Sequence, residues 1–320
     1  MNILVTGGAG FIGSNIVDRY IECGHNVIVV DNLVSGKKKN LNPDAKFYKL
    51  DIRNLKKLEA VFEKENIDII NHHAAQMEVA RSVREPVFDA NVNIIGGINI
   101  LECMIKYKVK KIIYSSTGGA VYGEPEYLPC DEAHPIKPIS HYGLSKYVME
   151  EYIKLYERLY GIDFCILRYP NVFGPRQNPH GEAGVNAIFI LKMLKGETPV
   201  IYGDGSCVRD YLYVGDVVDA NILVIPGVTV SRCQGVTVDR ASKCVYNLGT
   251  GVGTDVNTVF KTIAFQLSFC SNPIYKELRE GEIWKTYLKS DKIKKELKWS
   301  SKISFEEGIK YTIDWFKRNT

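Results

Sequence analysis

The chain has 320 residues, of which 45% are hydrophobic and 24% are charged, and its formal net charge is +4. These values are typical of a soluble globular protein with one large domain or two of ordinary size. They exclude a strongly basic nucleic-acid-binding protein, and no apolar run reaches the length of a membrane span.

Short apolar segments alternate with helical patterns over the first 170 residues. The predicted strands are residues 2–7, 26–31, 46–51, 67–72, 110–116 and 163–169, and the first predicted helices are residues 11–23 and 55–64. Nearly continuous apolar strands of this length are typical of a parallel sheet that is covered by helices on both faces. The sequence therefore predicts an α/β fold built on a Rossmann-type, doubly wound parallel sheet.

Two longer helices are predicted over residues 86–107 and 141–160. Pro86 suits the first turn of a helix, and each segment has an apolar stripe at helical spacing. The stripe residues are Val87, Asn91, Ile94, Ile98 and Leu101 in the first helix, and Leu144, Val148, Tyr152, Leu155 and Leu159 in the second. Each helix could bury one face on the sheet and expose the other to water, or it could pack against a partner subunit as well. The pattern leaves both interpretations open.

The pattern becomes irregular after residue 170, with loops rich in Pro, Gly and Asn. We therefore predict a Rossmann-type domain over residues 1–170 and a smaller, discontinuous α/β region over residues 171–320. Segments near 206–225 and 244–251 are expected to return to the first domain, the latter as a strand of the main sheet. The repeated GVTV sequence within residues 227–240 could form a hairpin or a mobile insertion, and it has no functional interpretation.

The eight cysteines are scattered, and none of them has the CxxC spacing of a metal or redox site. Most of them lie in apolar runs, as small buried residues do in a reducing compartment. The first motif begins at residue 3, which leaves no room before it for a signal peptide. We therefore expect a cytoplasmic protein without a metal site.

The segment TGGAGFIG follows the first predicted strand and opens the first helix. Gly7, Gly10 and Gly13 permit a tight turn, close approach of a pyrophosphate and close packing of the helix on the strand. Asp31 ends the second strand, where a carboxylate accepts hydrogen bonds from ribose hydroxyls and repels a 2′-phosphate. The sequence therefore predicts NAD rather than NADP, although the lysines at 37–39 argue in the other direction.

Tyr142 and Lys146 lie one helical turn apart at the start of the second long helix. A free tyrosine has a pKa of about 10 and is a poor base near neutrality. An ammonium favours the phenolate, so Lys146 on the same helix face is expected to lower the pKa of Tyr142. Such pairs also occur by chance on helix surfaces. The hydroxyl-rich segment YSSTGGAVYG (114–123) favours catalysis, because it ends a strand where parallel sheets bind ligands.

Nine motifs along the chain occur together, namely TGGAGFIG, DNLVSG (31–36), DIR (51–53), HHAAQ (72–76), SSTGGAVYG, YGLSK, RYPNVFGPRQ (168–177), VRDYLYVGDV (208–217) and REGE (279–282). This set resembles the extended short-chain dehydrogenase/reductase family, and within it the UDP-glucose 4-epimerases. The resemblance covers nearly the whole chain and implies NAD-dependent 4-epimerisation of UDP-hexoses through a transient 4-keto sugar. It also implies that NAD stays tightly bound and is recycled, and that a homodimer forms through the helices near 86–107 and 141–160.

The resemblance further implies roles for individual residues. Thr117, Tyr142 and Lys146 are expected to form the catalytic set, as hydroxyl, base and tuning cation. Residues expected to contact NAD are Gly7, Gly10, Phe11, Ile12, Asp31, Asn32, Ser35, Gly36, Asp51, Ile52, Ala74, Ala75, Gln76, Asn91, Ser115, Tyr142, Lys146 and Tyr169. Residues expected to contact the UDP-sugar are Thr117, Asn171, Val185, Tyr202, Arg209, Arg279 and Thr286.

The choice of reaction depends on the residues after Thr117. Related 4,6-dehydratases carry an Asp-Glu pair there, whereas Gly118, Gly119 and Ala120 cannot move protons. This absence favours interconversion of UDP-glucose and UDP-galactose. The resemblance implies that Thr286 takes the position beside the sugar C2 substituent, and because Thr286 is small we hypothesise that UDP-GlcNAc and UDP-GalNAc are accepted as well.

Two alternatives stay open at this point. One is a nucleotide-sugar epimerase of another specificity, such as one that acts on UDP-glucuronate. The other is a non-catalytic NAD(P)-sensing regulator on the same fold, which could dispense with the Tyr–Lys–Thr set.

Overall fold

The computed structural model describes residues 1–180, 184–225, 244–277 and 283–319. Its strands are β1 (Asn2–Thr6), β2 (Asn26–Asp31), β3 (Lys46–Lys49), β4 (Ile69–His72), β5 (Lys111–Thr117), β6 (Asp163–Tyr169), β7 (Asn171–Phe173), β8 (Val200–Tyr202), β9 (Val208–Arg209), β10 (Tyr211–Tyr213), β11 (Cys244–Asn247), β12 (Thr254–Asp255) and β13 (Ile274–Lys276). Its α-helices are α1 (Phe11–Glu22), α2 (Leu55–Lys64), α3 (Val79–Arg84), α4 (Pro86–Ala90), α5 (Gly96–Lys106), α6 (His141–Tyr160), α7 (Val185–Leu194), α8 (Val214–Leu223), α9 (Val256–Leu267), α10 (Asp291–Leu297) and α11 (Phe305–Asn319).

A seven-stranded sheet forms the centre of the molecule, in the order β11-β6-β5-β4-β1-β2-β3. Its strands pair in parallel throughout. The chain moves outward from β1 to β3 and then crosses back to place β4 on the other side of β1. Such a reversal creates a crevice at the carboxyl ends of the strands, where open α/β sheets bind ligands. The predicted Rossmann-type doubly wound sheet is therefore confirmed. The bounds of the six strands predicted over the first 170 residues agree with the structure to within two residues, whereas the strand predicted near 244–251 ends at Asn247.

Both faces of the sheet are buried, because successive residues of each strand point to opposite sides. In β1, Ile3 and Val5 belong to one apolar cluster and Leu4 belongs to the other. The first cluster includes residues of α1 and α8, and the second includes residues of α2, α5 and α6. Helices therefore cover the two faces, and the polar ends of the strands remain for the site.

A third apolar cluster lies among α7, α9 and α11 in the C-terminal half. Short strand pairs accompany it, with β10 beside β7, β12 beside β9 and β13 beside β8. Helix α8 instead packs against α1, and β11 extends the main sheet beside β6. The division of the chain near residue 170 remains a prediction, and the GVTV repeat within 227–240 lies outside the described residues.

The predicted helix over 86–107 is interrupted, which makes its predicted face wrong. A π-helical turn over Asn91–Ile95 separates α4 from α5. A π turn adds a residue to the turn, so every side chain after it changes face. Val87 is consequently 73% exposed, whereas Leu101 of the same predicted stripe is buried.

Most of the apolar stripe of α6 points away from the sheet, whereas Tyr152 packs against the second apolar cluster. Leu144, Leu155 and Leu159 are all exposed, the last by 62%. The side that packs on the sheet includes Met149 and Ile153 together with several polar residues. Among the residues that the structure describes, every helix is too short or too polar to cross a membrane.

Candidate active site

The turn between β1 and α1 leaves no room for side chains. Gly7 has φ of +71°, in the left-handed region that favours glycine. A Cβ on Gly7 would lie 2.8 Å from the backbone nitrogen of Ala74, and a Cβ on Gly13 would lie 2.3 Å from the carbonyl oxygen of Gly7. Gly10 is the N-cap of α1, whose first turn contains Phe11 and Ile12. The turn therefore offers the open N-terminus of a helix, which fits a pyrophosphate.

Asp31 ends β2 with its carboxylate beside this turn. It accepts hydrogen bonds from the backbone nitrogens of Ala9 at 3.0 Å and Leu33 at 2.8 Å. Burial raises the pKa of Asp31, and these two hydrogen bonds oppose the rise. A Cβ on Gly36 would lie 2.7 Å from Asp31 Oδ1, so the loop that also contains Ser35 folds tightly round the carboxylate. An acceptor in this place fits the ribose of a dinucleotide.

The loop after β2 is joined to the end of β3 by side chains. Asn32 Nδ2 donates to Asp51 Oδ2 at 3.1 Å, and Arg53 binds both carboxylate oxygens of Asp51. The Arg53 guanidinium lowers the pKa of Asp51 to about 2, so Asp51 is ionised near neutral pH. Ile52 is buried next to it. A surface cavity of about 640 Å³ is lined by Asp51, Arg53, Asn54, Leu55, Asn91 and Ile95.

The ends of β1 and β4 lie side by side, with Thr6 opposite His72. Thr6 Oγ1 is 2.7 Å from His72 Nδ1 and accepts a hydrogen bond from the backbone nitrogen of Ala74 at 3.1 Å. Burial lowers the pKa of His72 to about 3, so this histidine is neutral near pH 7. The hydrogen bonds hold Ala74 and the following Ala75 beside Gly7, where the resemblance placed cofactor contacts.

Tyr169 at the end of β6 is held by two side chains. Its hydroxyl is 3.1 Å from His73 Nε2 and accepts a hydrogen bond from Asn221 Nδ2 at 2.9 Å. The rings of His73 and Tyr169 stack with centroids 5.9 Å apart. Burial raises the pKa of Tyr169, so this phenol stays protonated and serves as a hydrogen-bonding surface rather than a base.

Three predicted residues converge where β5 ends. Ser115 donates to the carbonyl oxygen of His72 at 3.1 Å, which fixes the two strand ends together. Thr117 lies opposite Tyr169 in the sheet. The side chain of Thr117 is hydrogen-bonded to that of Tyr142, at the start of α6. The predicted hydroxyl and the predicted base therefore lie close to each other.

The predicted effect of Lys146 on Tyr142 is wrong for the protein chain alone. Burial raises the pKa of Tyr142 to about 12, and the hydrogen bond from Thr117 opposes this rise. Burial lowers the pKa of Lys146 to about 7, and the charges of Glu150 and Asp89 oppose this fall. Burial therefore dominates both groups, since each loses the hydration of its charged form.

Lys146 is buried beneath the sheet edge, with 3% of its surface exposed. Its Nζ lies 4.3 Å from the centre of the Tyr114 ring. An ammonium over an aromatic face is stabilised by the ring's quadrupole. The ring of Tyr114, on the strand that ends in Thr117, therefore stabilises the charged form of Lys146.

The side chain of Gln76 is hydrogen-bonded to other residues of the protein. Its Nε2 donates to Asp89 Oδ1 at 3.1 Å and to the carbonyl oxygen of Glu78 at 2.8 Å, and its Oε1 accepts from the backbone nitrogen of Glu78. Its backbone nitrogen donates to Asn93 Oδ1 at 2.8 Å. The segment after β4 is therefore tied to α4 and to the π turn, which places Asn91 near the same edge.

Asn171 begins β7 close to the catalytic hydroxyl. A Cβ on Gly119 would lie 3.5 Å from Asn171 Oδ1 and 3.8 Å from Thr117 Oγ1. The two polar groups therefore face one small volume, and a side chain at residue 119 would occupy part of it. This arrangement leaves space for a ligand oxygen beside Thr117.

Arg209 lies on β9, with its guanidinium held by backbone oxygens. Its Nη1 donates to the carbonyls of Val208 at 2.9 Å and Trp284 at 3.4 Å. The remaining donors of the fork can bind an anion. Tyr202 ends β8 and Val185 begins α7, so these two predicted contacts lie on separate elements. The predicted contact Arg279 lies outside the described residues.

Thr286 is 3% exposed. Its backbone nitrogen donates to the carbonyl of Val208 at 3.1 Å, and its hydroxyl is hydrogen-bonded to the thiol of Cys130. Arg209 and Thr286 therefore share Val208 as a hydrogen-bond partner, which brings these two predicted residues together.

Sequence reasoning missed Tyr114, Asp89 and Asn221. Asp89 and Asn93 are four residues apart on the predicted helix, and this polar pair was a signal that the apolar stripe obscured. Tyr114 and Asn221 carry no comparable signal, because each reaches the site only through the packing of separate elements.

Comparisons with known proteins agree with this geometry. Residues 3–235 match the model of the NAD dependent epimerase/dehydratase family. A UDP-glucose 4-epimerase from Thermotoga maritima, solved with UDP-glucose, is 48% identical, with a TM-score of 0.94 over 100% of this chain and 99% of its own. A UDP-glucose 4-epimerase from Thermus thermophilus, solved with NAD, is 39% identical, with a TM-score of 0.90 over 100% of both chains. A UDP-N-acetylglucosamine 4-epimerase from Methanobrevibacter ruminantium, in complex with UDP-N-acetylmuramic acid, is 34% identical, with a TM-score of 0.88 over 100% of this chain and 99% of its own.

Proposed function

Since the chain belongs to the NAD dependent epimerase/dehydratase family, we propose that it catalyses the NAD-dependent 4-epimerisation of UDP-hexoses, with UDP-glucose and UDP-galactose as its main pair. The observation that carries this proposal is the meeting of polar groups at the carboxyl edge of the sheet, where Thr117 Oγ1 and Asn171 Oδ1 face one small volume and Thr117 interacts with Tyr142. Gly118 and Gly119 follow directly and cannot transfer protons. The site therefore supports oxidation and reduction at one carbon, without elimination of water.

Tyr142 transfers the proton in the proposed reaction. When bound, NAD supplies the acceptor and then the donor of the hydride at the sugar C4. Tyr142 takes the proton of the 4-hydroxyl and returns it once the other face of the sugar is presented. Thr117 holds the same oxygen and relays the proton through its hydrogen bond to Tyr142. Each turnover restores the starting state of the protein, so no second redox substrate is needed.

Cofactor binding in this proposal uses the ends of β1 to β4. The N-terminus of α1 receives the pyrophosphate, and Asp31 accepts hydrogen bonds from the adenosine ribose. Asp51 and Asn91 line the cavity next to it. Lys146 holds the nicotinamide ribose. The crowding at Gly7 supports this assignment, because a Cβ there would lie 2.8 Å from the backbone nitrogen of Ala74 and would open the tight turn before α1.

Substrate binding in this proposal uses the second half of the chain. Arg209 binds the diphosphate, because a guanidinium fork matches phosphate oxygens. Asn171 contacts the sugar nucleotide beside Thr117. Tyr202 packs on the uracil, and Val185 contacts the nucleotide from α7. Thr286 is small and buried, which supports a pocket that also admits a 2-acetamido group.

A homodimer through α4, α5 and α6 is part of the proposal. Val87, Leu144, Leu155 and Leu159 expose apolar side chains on α4 and α6, and Ile95 does so on the π turn between α4 and α5. An apolar surface of this kind is typical of a protein interface.

The cytoplasmic location predicted from the sequence is tested by cell fractionation.

The experiment that tests the function uses purified protein without added NAD. UDP-galactose, UDP-GalNAc and UDP-glucuronate are incubated separately, and the products are separated by chromatography. We expect conversion of UDP-galactose to UDP-glucose, conversion of UDP-GalNAc to UDP-GlcNAc, and no change in UDP-glucuronate. Turnover of UDP-glucuronate alone would instead favour an epimerase of that specificity. No turnover of any sugar, with NAD present as well, would favour the non-catalytic regulator.

A further inference from the structure

Asp89 is a buried carboxylate that the proposed reaction does not use. It lies in α4 and is 1% exposed. Its Oδ1 accepts hydrogen bonds from Gln76 Nε2 at 3.1 Å and Asn93 Nδ2 at 3.0 Å. Its Oδ2 is buried and accepts no hydrogen bond from the residues that the structure describes. Both partners are neutral amides, so they satisfy one oxygen without balancing the charge.

Glu150, the other carboxylate whose charge acts on Lys146, is paired with a cation. Its two oxygens receive hydrogen bonds from Arg168 Nε at 2.9 Å and Nη2 at 2.6 Å. Ser116 donates a further hydrogen bond to Glu150. Glu150 is still the larger of the two charges that raise the pKa of Lys146, and Arg168, in contact with Glu150, offsets part of that charge.

The remaining groups around Lys146 are neutral near pH 7. Burial lowers the pKa of His72 and of His73 to about 3, so both imidazoles are uncharged. Burial keeps the phenol of Tyr114 protonated by raising its pKa. The groups that face Lys146 are His72 of β4, His73 directly after β4, Asp89 of α4, Tyr114 of β5, and Tyr142 and Glu150 of its own helix. Within this set, Asp89 is the anion that has no cation in contact with it.

We propose that Asp89 is a positioning residue whose unbalanced carboxylate keeps the buried Lys146 in its ammonium form and so sets the pH range of the catalytic tyrosine. This inference rests on the proposed function, because Lys146 and Tyr142 take their roles from it. Asp89 acts through Lys146 rather than by touching the substrate.

The expected effect of removing the charge has a definite sign. The Asp89 carboxylate raises the pKa of Lys146 and also raises that of Tyr142. The neutral amide of Asp89→Asn would therefore let both pKa values fall. Activity needs Tyr142 ionised and Lys146 protonated, so the acidic and the alkaline limbs of the kcat/KM profile are both expected to move to lower pH. A shift of about one pH unit is expected when one nearby charge is removed.

Asp89→Asn suits this test because its remaining oxygen can still accept from Gln76 and Asn93. Ser145→Ala is the matched control, since Ser145 accepts from Asn93 Nδ2 at 3.1 Å in the same network and carries no charge. Asp89→Glu keeps the charge and is expected to retain limbs near those of the wild type. Ser145→Ala is expected to change the rate without moving either limb.

A second readout does not depend on turnover. In protein labelled with ¹³C at lysine Cε, the Lys146 signal is assigned by its loss in Lys146→Arg and titrated by NMR. We expect its pKa to fall by about one unit in Asp89→Asn. Unchanged limbs together with an unchanged Lys146 titration would overturn the inference. If Asp89→Asn does not fold, Asp89→Ser removes the same charge. Its kcat/KM limbs and its Lys146 titration are then compared with those of the wild type in the same way.

Failure of this inference is distinguishable from failure of the proposed function. A wild-type protein that turns over no UDP-sugar contradicts the function, whatever Lys146 does in the NMR titration. A wild-type protein that epimerises UDP-galactose while Asp89→Asn keeps the wild-type limbs contradicts the role of Asp89 alone.

Discussion

The Tyr142–Lys146 pair shows what a spacing of four residues can and cannot predict. The spacing places both groups on one helix face, and the structure adds the hydrogen bond from Thr117 to Tyr142. The sign of the pKa shift depends on burial, because the loss of hydration outweighs a neighbouring charge in the chain alone. The positive charge that NAD brings when bound would favour the phenolate. The base is therefore completed by the cofactor and is not a property of the pair by itself.

Replacement of Tyr142 by phenylalanine tests this base directly. Tyr142→Phe keeps the ring and removes the proton-accepting oxygen. We expect kcat for UDP-galactose to fall by about 100- to 10,000-fold, the usual contribution of a general base. KM is expected to stay within about threefold, since the diphosphate contacts lie elsewhere. A coupled assay of UDP-glucose formation measures both constants.

Tyr147→Phe is the control for that measurement. Tyr147 lies on the same helix one residue after Lys146, and its side chain packs against a small apolar cluster that includes Tyr122 and Cys130. It is expected to retain the wild-type kcat. A Tyr142→Phe variant with wild-type kcat would contradict the assignment of the base.

Asp31 carries a second prediction at the scale of one residue, on cofactor choice. Asp31→Asn removes the charge but keeps an oxygen that can accept from the backbone of Ala9 or Leu33. We expect NAD to bind about 10- to 100-fold more weakly, since a hydrogen bond to a charged acceptor is lost. NADP is expected to bind more tightly than it does to the wild type, because repulsion of its 2′-phosphate is removed. Fluorescence titration of cofactor-free protein gives both dissociation constants, and equal loss for the two cofactors would contradict the role of Asp31.

At the scale of elements, strands were predicted more accurately than helix faces. Strands of a parallel sheet are apolar on both sides, so a short apolar run identifies them without any choice of face. The buried face of the helix over 86–107 could not be predicted from an apolar pattern, because the π turn over Asn91–Ile95 changes which side chains share a face. In α6 the side that faces the sheet carries Ser145, Lys146 and Glu150. A search for an apolar stripe therefore finds the opposite, exposed side.

That exposed side of α6 carries a prediction about assembly. Leu155→Glu combined with Leu159→Glu places two charges on the stripe where we propose the partner packs. We expect the double variant to elute as a monomer, because charges are costly in an apolar interface. Size-exclusion chromatography with light scattering measures the mass, and the wild type is expected at twice the mass of one chain.

Phe265→Glu is the matched control for the assembly test. Phe265 is 87% exposed on α9, away from the proposed interface. It is expected to keep the mass of the wild type. A double variant on α6 that remains dimeric while folded would exclude this face as the interface.

At the scale of the whole molecule, the sheet topology explains why the site forms from distant residues. Thr6, His72, Thr117 and Tyr169 end four adjacent strands and therefore meet at one edge. The sequence indicates this edge, since strand ends can be read from apolar runs. It does not indicate how β7 and β9 approach that edge, because strands of two or three residues have no periodicity to detect. Arg209 and Asn171 could accordingly be assigned only by resemblance.

Burial of histidine at this edge makes the stability of the whole protein depend on pH. Burial lowers the pKa of His72 to about 3, whereas the unfolded chain binds a proton near pH 6.5. Between these values the unfolded state binds more protons, so the free energy of unfolding falls as pH decreases from about 6.5. Above about pH 6.5 His72 is unprotonated in both the folded and the unfolded state, so the free energy of unfolding no longer changes with pH because of His72. A single fully shifted group changes the free energy by roughly 1.4 kcal/mol per pH unit within the window.

His72→Asn isolates this contribution, because an asparagine amide can replace Nδ1 as the partner of Thr6 and does not titrate there. Urea unfolding between pH 4.5 and pH 7 is expected to show a shallower loss of stability for His72→Asn than for the wild type. His141→Gln, at the exposed start of α6, serves as the control and is expected to keep the wild-type slope. Equal slopes for His72→Asn and the wild type would mean that His72 is hydrated in the folded protein. The strand ends would then be more open to water than the hydrogen bonds of Thr6 imply.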